Sequence, residues 1–219
     1  MALKRILDLF RRMIPDVAGA SAIEFAIIAP MMILLYCGMA ELSSALMAAR
    51  KAGHAVSTVG DVVSRLQTSA DGTSMAGLFL AGGDVMAPFP TTTIVNGTTV
   101  PIQQARITSL TMQPDKSIQV VWSCSPASQT ALPPYAANTV VVSAPGSTTT
   151  PSNNPLSTLL INPGDNVIMS EGSYNFTSPA DYLIQKPLSF NNTFYFKPRS
   201  GAPIAYAGPG AGPSAQCNG

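Results

Sequence analysis

Charge is what this chain has least of. Only 11% of its 219 residues are charged, and the 12 basic and 11 acidic side chains nearly cancel, whereas soluble domains carry about 25% charged residues. A net charge of +1 removes the electrostatic case for nucleic acid as a partner. Histidine is scarcer still. His54 is alone, without a second histidine or a nearby cysteine to complete a metal site, so neither a metal nor another cofactor is expected. No G-x-S-x-G, Walker or dinucleotide-type glycine pattern occurs. The acids beyond the first 60 residues, Asp61, Asp71, Asp84, Asp115, Asp165, Glu171 and Asp181, are scattered, and nothing in their spacing suggests a carboxylate pair. These absences argue against an enzyme.

What is abundant is apolar length near the N-terminus. Ile23 to Ala40 carries one charge, Glu24, and is about long enough to span a bilayer core. A carboxylate there costs roughly 2.5 kcal/mol or more on insertion scales, so Glu24 either stays wet near the interface or is used. Lys4, Arg5, Arg11 and Arg12 precede the run; Arg50, Lys51 and Arg65 follow it. The basic residues favour a cytoplasmic N-terminus only slightly, and export of the polar body rests more on the lack of a second apolar span. The expectation is a single pass, N-terminus inside and body outside. An ordinary secretory signal is the alternative, with "ALMAA" at 45–49 offering small residues for a cleavage site. Leu3, Ile6, Leu7 and Phe10 share one helical face opposite Lys4, Arg5 and Arg11, which suits a leader lying on the inner leaflet.

The helical pattern continues past the apolar run. Leu42, Ala45, Ala49, Ala52, Val56, Val59, Val63 and Leu66 recur in steps of three and four, a heptad-like seam whose small residues allow close approach. The seam packs either on a partner or on the protein's own body. Gly53 and Gly60 weaken this helix by roughly 1 kcal/mol each, and Pro30 is expected to kink it unless neighbours compensate.

Residues 68–90 are rich in glycine and alanine and read as a flexible connection with one short helix near Met75 to Leu80. Alternating segments follow: "TTVPIQQARITSLTM" and "KSIQVVWSC" around a "QPDK" turn, then "NTVVVSA", "DNVIMSEGSYNF" and "NTFYFKP", all with strand character. "PGSTTTPSNNPLS" at 145–157 reads as an exposed loop, and the tail from Gly201 is too rich in glycine and proline for regular structure. An oxidising compartment favours one disulfide between Cys124 and Cys217, contributing about 4 kcal/mol if unstrained; two unpaired buried thiols are the alternative. Cys37 lies in the apolar run. The fold class expected is α+β: a long N-terminal transmembrane helix extending beyond the membrane, then a small antiparallel β-rich domain.

A basic leader ending in Gly19, a small residue after it, Glu24 and an apolar helix resemble a type IV prepilin processing site. "GASAIEFAIIAPMMILLYCGMAEL" more closely resembles the TadE/TadG-like minor pseudopilins of the tight-adherence (Flp, type IVc) pilus system, through Gly19, Ala22, Glu24, Phe25, Ala26, Pro30, Glu41 and Leu42. "SEGSYNF" and "TFYFKPRSG" are similar to that family's later strands. The resemblance implies a leader over 1–19, a transmembrane and amphipathic helix over 20–67, a connection over 68–90 and a periplasmic domain over 91–219. It further implies cleavage after Gly19 by a prepilin peptidase, with partners among other pilins, pseudopilins and pilus-assembly proteins of the bacterial inner membrane, and incorporation into a surface pilus as one outcome. Ala20 and Glu24 would then set register, one subunit's new α-amine facing the next subunit's carboxylate, a pair that is strong where water is scarce. An anchored or secreted binding or adhesion domain with an ordinary signal is the competing reading.

Overall fold

A computed structural model describes residues 18–67, 69–142, 162–178, 184–200, 203–210 and 215–219. The leader's two-faced pattern and the loop expected at 145–157 lie outside them. The described residues form two units, one comprising the chain up to Ser44 with Ser178–Gln185, the other Ala45–Thr177 with Lys186–Gly219.

A single helix, α1 (Ala18–Ser64), contains Pro30 and runs on through it. In the first unit its large apolar side chains, from Ile23 to Met39, are exposed. The second unit holds the rest of α1 and everything that follows: β1 (Ser69–Ala70), α2 (Gly72–Asp84), β2 (Thr92–Val95), β3 (Thr98–Pro101), β4 (Gln103–Met112), β5 (Ile118–Ser125), β6 (Val140–Val142), β7 (Asn166–Phe176), β8 (Leu188–Phe196), β9 (Ala205–Tyr206) and β10 (Gln216–Asn218). The main sheet runs β10-β5-β4-β7-β8, with β6 also on β5, and every pairing in it is antiparallel. The layout is α+β, as the sequence led us to expect.

Successive strand residues face opposite sides, and this sheet is apolar on both. Ile168 joins Val59, Val63, Met75, Phe79, Trp122 and Ile204 in a core beneath the helices. Its neighbours Val167 and Met169 join Leu110, Ile118, Val120 and Val141 in a second core. Ile107 and Leu110 face opposite cores by the same alternation, whereas on β5 the switch from Trp122 to Val120 needs the register shift that leaves Val121 as an extra residue, a bulge that turns that strand over.

Three expectations need correction. Residues 68–90 are not merely a connection: Asp71 caps α2, its Oδ1 accepting the Thr73 and Ser74 amides at 2.9 Å, and Met75, Phe79 and Met86 are buried. The gain from burying those three side chains outweighs the weak helix propensity of the glycines. The tail is not wholly irregular: β9 pairs in parallel with β1, and β10 extends the main sheet. The segment 98–112 is two strands, because β3 folds back on β2 through Asn96 and Gly97, both at positive φ, as a two-residue Asn-Gly hairpin requires.

Candidate functional site

The first unit offers a surface rather than a cleft. Phe25, Ile27, Met31 and Leu34 are exposed around Pro30, and the helix is long and apolar enough to cross a membrane, with none of its most apolar stretch buried. A helix apolar on all sides suits lipid, not water. Gly19 and Ala20 lie in the first described residues of α1. Glu24, one turn on, is exposed, and among the described residues no ion pair engages it. Glu41, at the far end of the apolar run, is the reverse: it is buried, and its carboxylate accepts the Ile184 amide at 3.1 Å.

In the second unit the seam meets the protein's own sheet. Ala45, Ala52, Val56, Val59 and Val63 are buried, with Ala49 and Leu66 half-buried. The Ser170 hydroxyl donates to the Val56 carbonyl at 2.7 Å. A Cβ at Gly172 would run into Val56, and one at Gly60 would lie 2.7 Å from Ser170 Cβ. Both glycines therefore serve close approach of helix and strand, which is why a weak helix former stands at position 60 of α1. Leu42, in the first unit, is 57% exposed, and the buried seam of the second unit begins at Ala45.

Cys124 and Cys217 are joined by a disulfide between residues directly opposite each other on β5 and β10, their Cα atoms 4.1 Å apart. Beside it Trp122 is fully buried and donates to the Ile204 carbonyl at 2.7 Å.

Two features escaped sequence reasoning. Arg106 and Glu171 are register partners on β4 and β7. The Arg106 Nε lies 2.9 Å from Glu171 Oε2, and its remaining nitrogens donate to the Pro133 carbonyl at 2.9 Å and the Tyr135 hydroxyl at 2.7 Å. The guanidinium also stacks 3.7 Å from the Tyr135 ring centre. Burial first, and the Glu171 charge second, push the Tyr135 phenol up against the pull of Arg106. Only the strand register brings these residues together, and the sequence does not print it. The other is Glu41, whose shielding depends on a segment about 140 residues away.

Neither of two clefts holds an acid–base set. One of about 580 Å³ is lined by Tyr206, Pro209 and Cys217 among others, and one of about 370 Å³ by Phe79, Leu80 and Gln103 among others; no Asp, Glu, His, Lys or Arg lines either. Among the described residues no three His, Cys, Asp or Glu side chains cluster as metal ligands do.

Residues 19–61 match the family described as TadE-like protein. The chain carries a TadE-like segment. That segment begins at Gly19 and ends three residues before α1 does, so it is helical throughout. No curated protein and no solved structure matches the chain.

Proposed function

We propose that this protein is a minor pseudopilin or pilus-assembly component of a tight-adherence system, without enzymatic activity, anchored in the bacterial inner membrane with its β-rich domain in the periplasm. The observation that carries this is one acid at the start of an apolar helix: Glu24 lies five residues beyond Gly19 in a TadE-like segment. A prepilin peptidase cut after Gly19 frees Ala20, about 6 Å along the helix axis from Glu24. A sibling displaced axially by that distance sets its own amine against this carboxylate, and in low dielectric neither charge is tolerable alone. Register between subunits follows from the pair.

Sequencing the N-terminus of the protein isolated from its native membrane tests the reading. A start at Ala20 is expected; retention of Met1, or a start near Ala49, overturns it. Glu24→Gln is expected to be cut normally yet to co-purify poorly with sibling pilins, and normal assembly by that variant would remove the charge pair.

A further inference from the structure

Past Ala40 the helix α1 becomes two-faced in an unusual sense. On one side Glu41, Ala45 and Ala48 are buried. On the other, Leu42 is 57%, Leu46 53% and Met47 52% exposed. Tyr36, Met39, Ser43, Leu46 and Arg50 follow one another in steps of three and four, and all are exposed, so they form one stripe along the helix. A helix lying on a protein in water turns polar residues outward. Here the outward residues remain largely apolar for nearly two turns beyond Ala40, and Arg50 is the first charge on that stripe.

We propose that lipid covers α1 as far as Met47, with Arg50 at the level of the headgroup phosphates, so that Leu42, Leu46 and Met47 form a lipid-contacting surface. The inference rests on the membrane-anchor reading and moves its outer boundary by about two turns. The stripe is continuous with the exposed apolar side chains that begin at Ile23, which favours the same occupant, lipid, along its whole length. From Phe25 to Met47 the helix rises about 33 Å, slightly more than a hydrocarbon core of about 30 Å, a mismatch that modest tilt absorbs. Arginine suits such a boundary because its stem lies along apolar surface while its head reaches phosphate. Glu41 then lies within the hydrocarbon depth, and its burial acquires a reason. An acid facing lipid is costly, whereas this one is 4% exposed and accepts the Ile184 amide.

Depth-dependent quenching on the full-length chain tests the boundary. In a Cys37→Ser background, Ile33→Cys, Leu46→Cys, Met47→Cys and His54→Cys are each labelled with a bimane fluorophore. The proteins are reconstituted into phosphatidylcholine vesicles containing acyl-chain spin-labelled lipid, and unchanged Trp122 emission verifies the fold. Labels at 33, 46 and 47 should be quenched several-fold more by the lipid than the label at 54, and iodide should quench only the last. Lipid quenching at 33 with iodide quenching at 46 and 47 overturns the boundary while leaving the anchor intact. Shielding of 46 and 47 from both quenchers means that a second copy covers them, which also overturns it. Iodide access at 33 sinks the anchor itself, and the boundary with it.

Discussion

Gly172→Ala isolates how firmly α1 is seated on the sheet. Gly172 lies in β7 opposite Ala105 of β4, at a backbone conformation any residue can adopt, so its substitution tests contact and not strain. A methyl group there overlaps Val56 Cγ2 and comes within 3.1 Å of the Gln104 carbonyl. Overpacking of this kind costs about 1–3 kcal/mol, and exchanging a strand glycine for alanine returns about 0.5–1 kcal/mol. The net expectation is a loss of about 0.5–2 kcal/mol. Val56→Ala removes the colliding methyl from a buried site and alone costs about 1–3 kcal/mol. In the double variant the new methyl fills part of that space, so the loss falls short of the sum by about 1 kcal/mol or more. Urea unfolding of the detergent-solubilised chain, followed through Trp122, the only tryptophan and fully buried, reads all four corners of the cycle. A single variant as stable as the parent, or additivity within about 0.5 kcal/mol, would mean that Val56 does not sit on β7 and that the seam is open to another molecule.

Glu171→Ala strips the buried Arg106 guanidinium of its carboxylate and is expected to cost about 3–5 kcal/mol, while Arg106→Met combined with Glu171→Leu should cost less; equal losses in urea titrations would refute a buried pair. Cys124→Ser opens a loop spanning 93 residues, for which chain entropy gives about 4–5 kcal/mol; an unchanged urea midpoint, or unchanged mobility on a non-reducing gel, would contradict the bond. Acid should destabilise the body. The Arg65 side chain beside Asp61, the Ser74 amide on Asp71, the Ser117 hydroxyl on Asp115 and the Lys197 ammonium beside Asp165 each hold a carboxyl below its ordinary 3.8. A value lowered by folding stabilises above the unfolded pKa and is lost as pH falls through the folded one. The urea midpoint should therefore change little between about pH 7 and 5 on account of these groups and fall below about pH 4, less steeply in Asp165→Asn; a midpoint that rises on acidification would reverse the assignment.

The long helix was legible because its signal is local: an unbroken apolar run, then a three-and-four spacing from Ala45 onward that survives Gly53 and Gly60. The strands β4, β5 and β7 were legible for the same reason, as alternation within single segments. What the sequence concealed were the meetings of distant residues. Arg106 and Glu171 meet only once β4 and β7 have a register, and Glu41 is shielded only when a segment near Ile184 reaches it. The helix at Gly72–Asp84 was under-read because its glycines lower intrinsic propensity, while the burial of Met75 and Phe79 that compensates them is tertiary. The β2–β3 hairpin is a different failure: Asn96-Gly97 is a strong local turn signal, and it was available.

The seam's destination constrains where sibling subunits can bind. Val56, Val59 and Val63 are buried between α1 and the sheet, and Val59 and Val63 share a core with Trp122 and Ile168. A partner that claimed this face would have to lift the helix and expose that core, a loss comparable to the whole stability of a small domain. The seam is therefore committed to the protein's own body. The opposite side, with Arg50, His54 and Thr58 exposed, is polar and lacks the apolar anchors that usually carry affinity. Within the TadE-like segment, that leaves the exposed apolar surface up to Met47 as the one that lipid or another helix can cover. In lipid, apolar packing alone discriminates poorly between one sliding position and the next, since the displaced tails are as apolar as the helix. On the proposed function, Glu24 supplies the missing discrimination, because every register but one leaves its charge without a counter-ion.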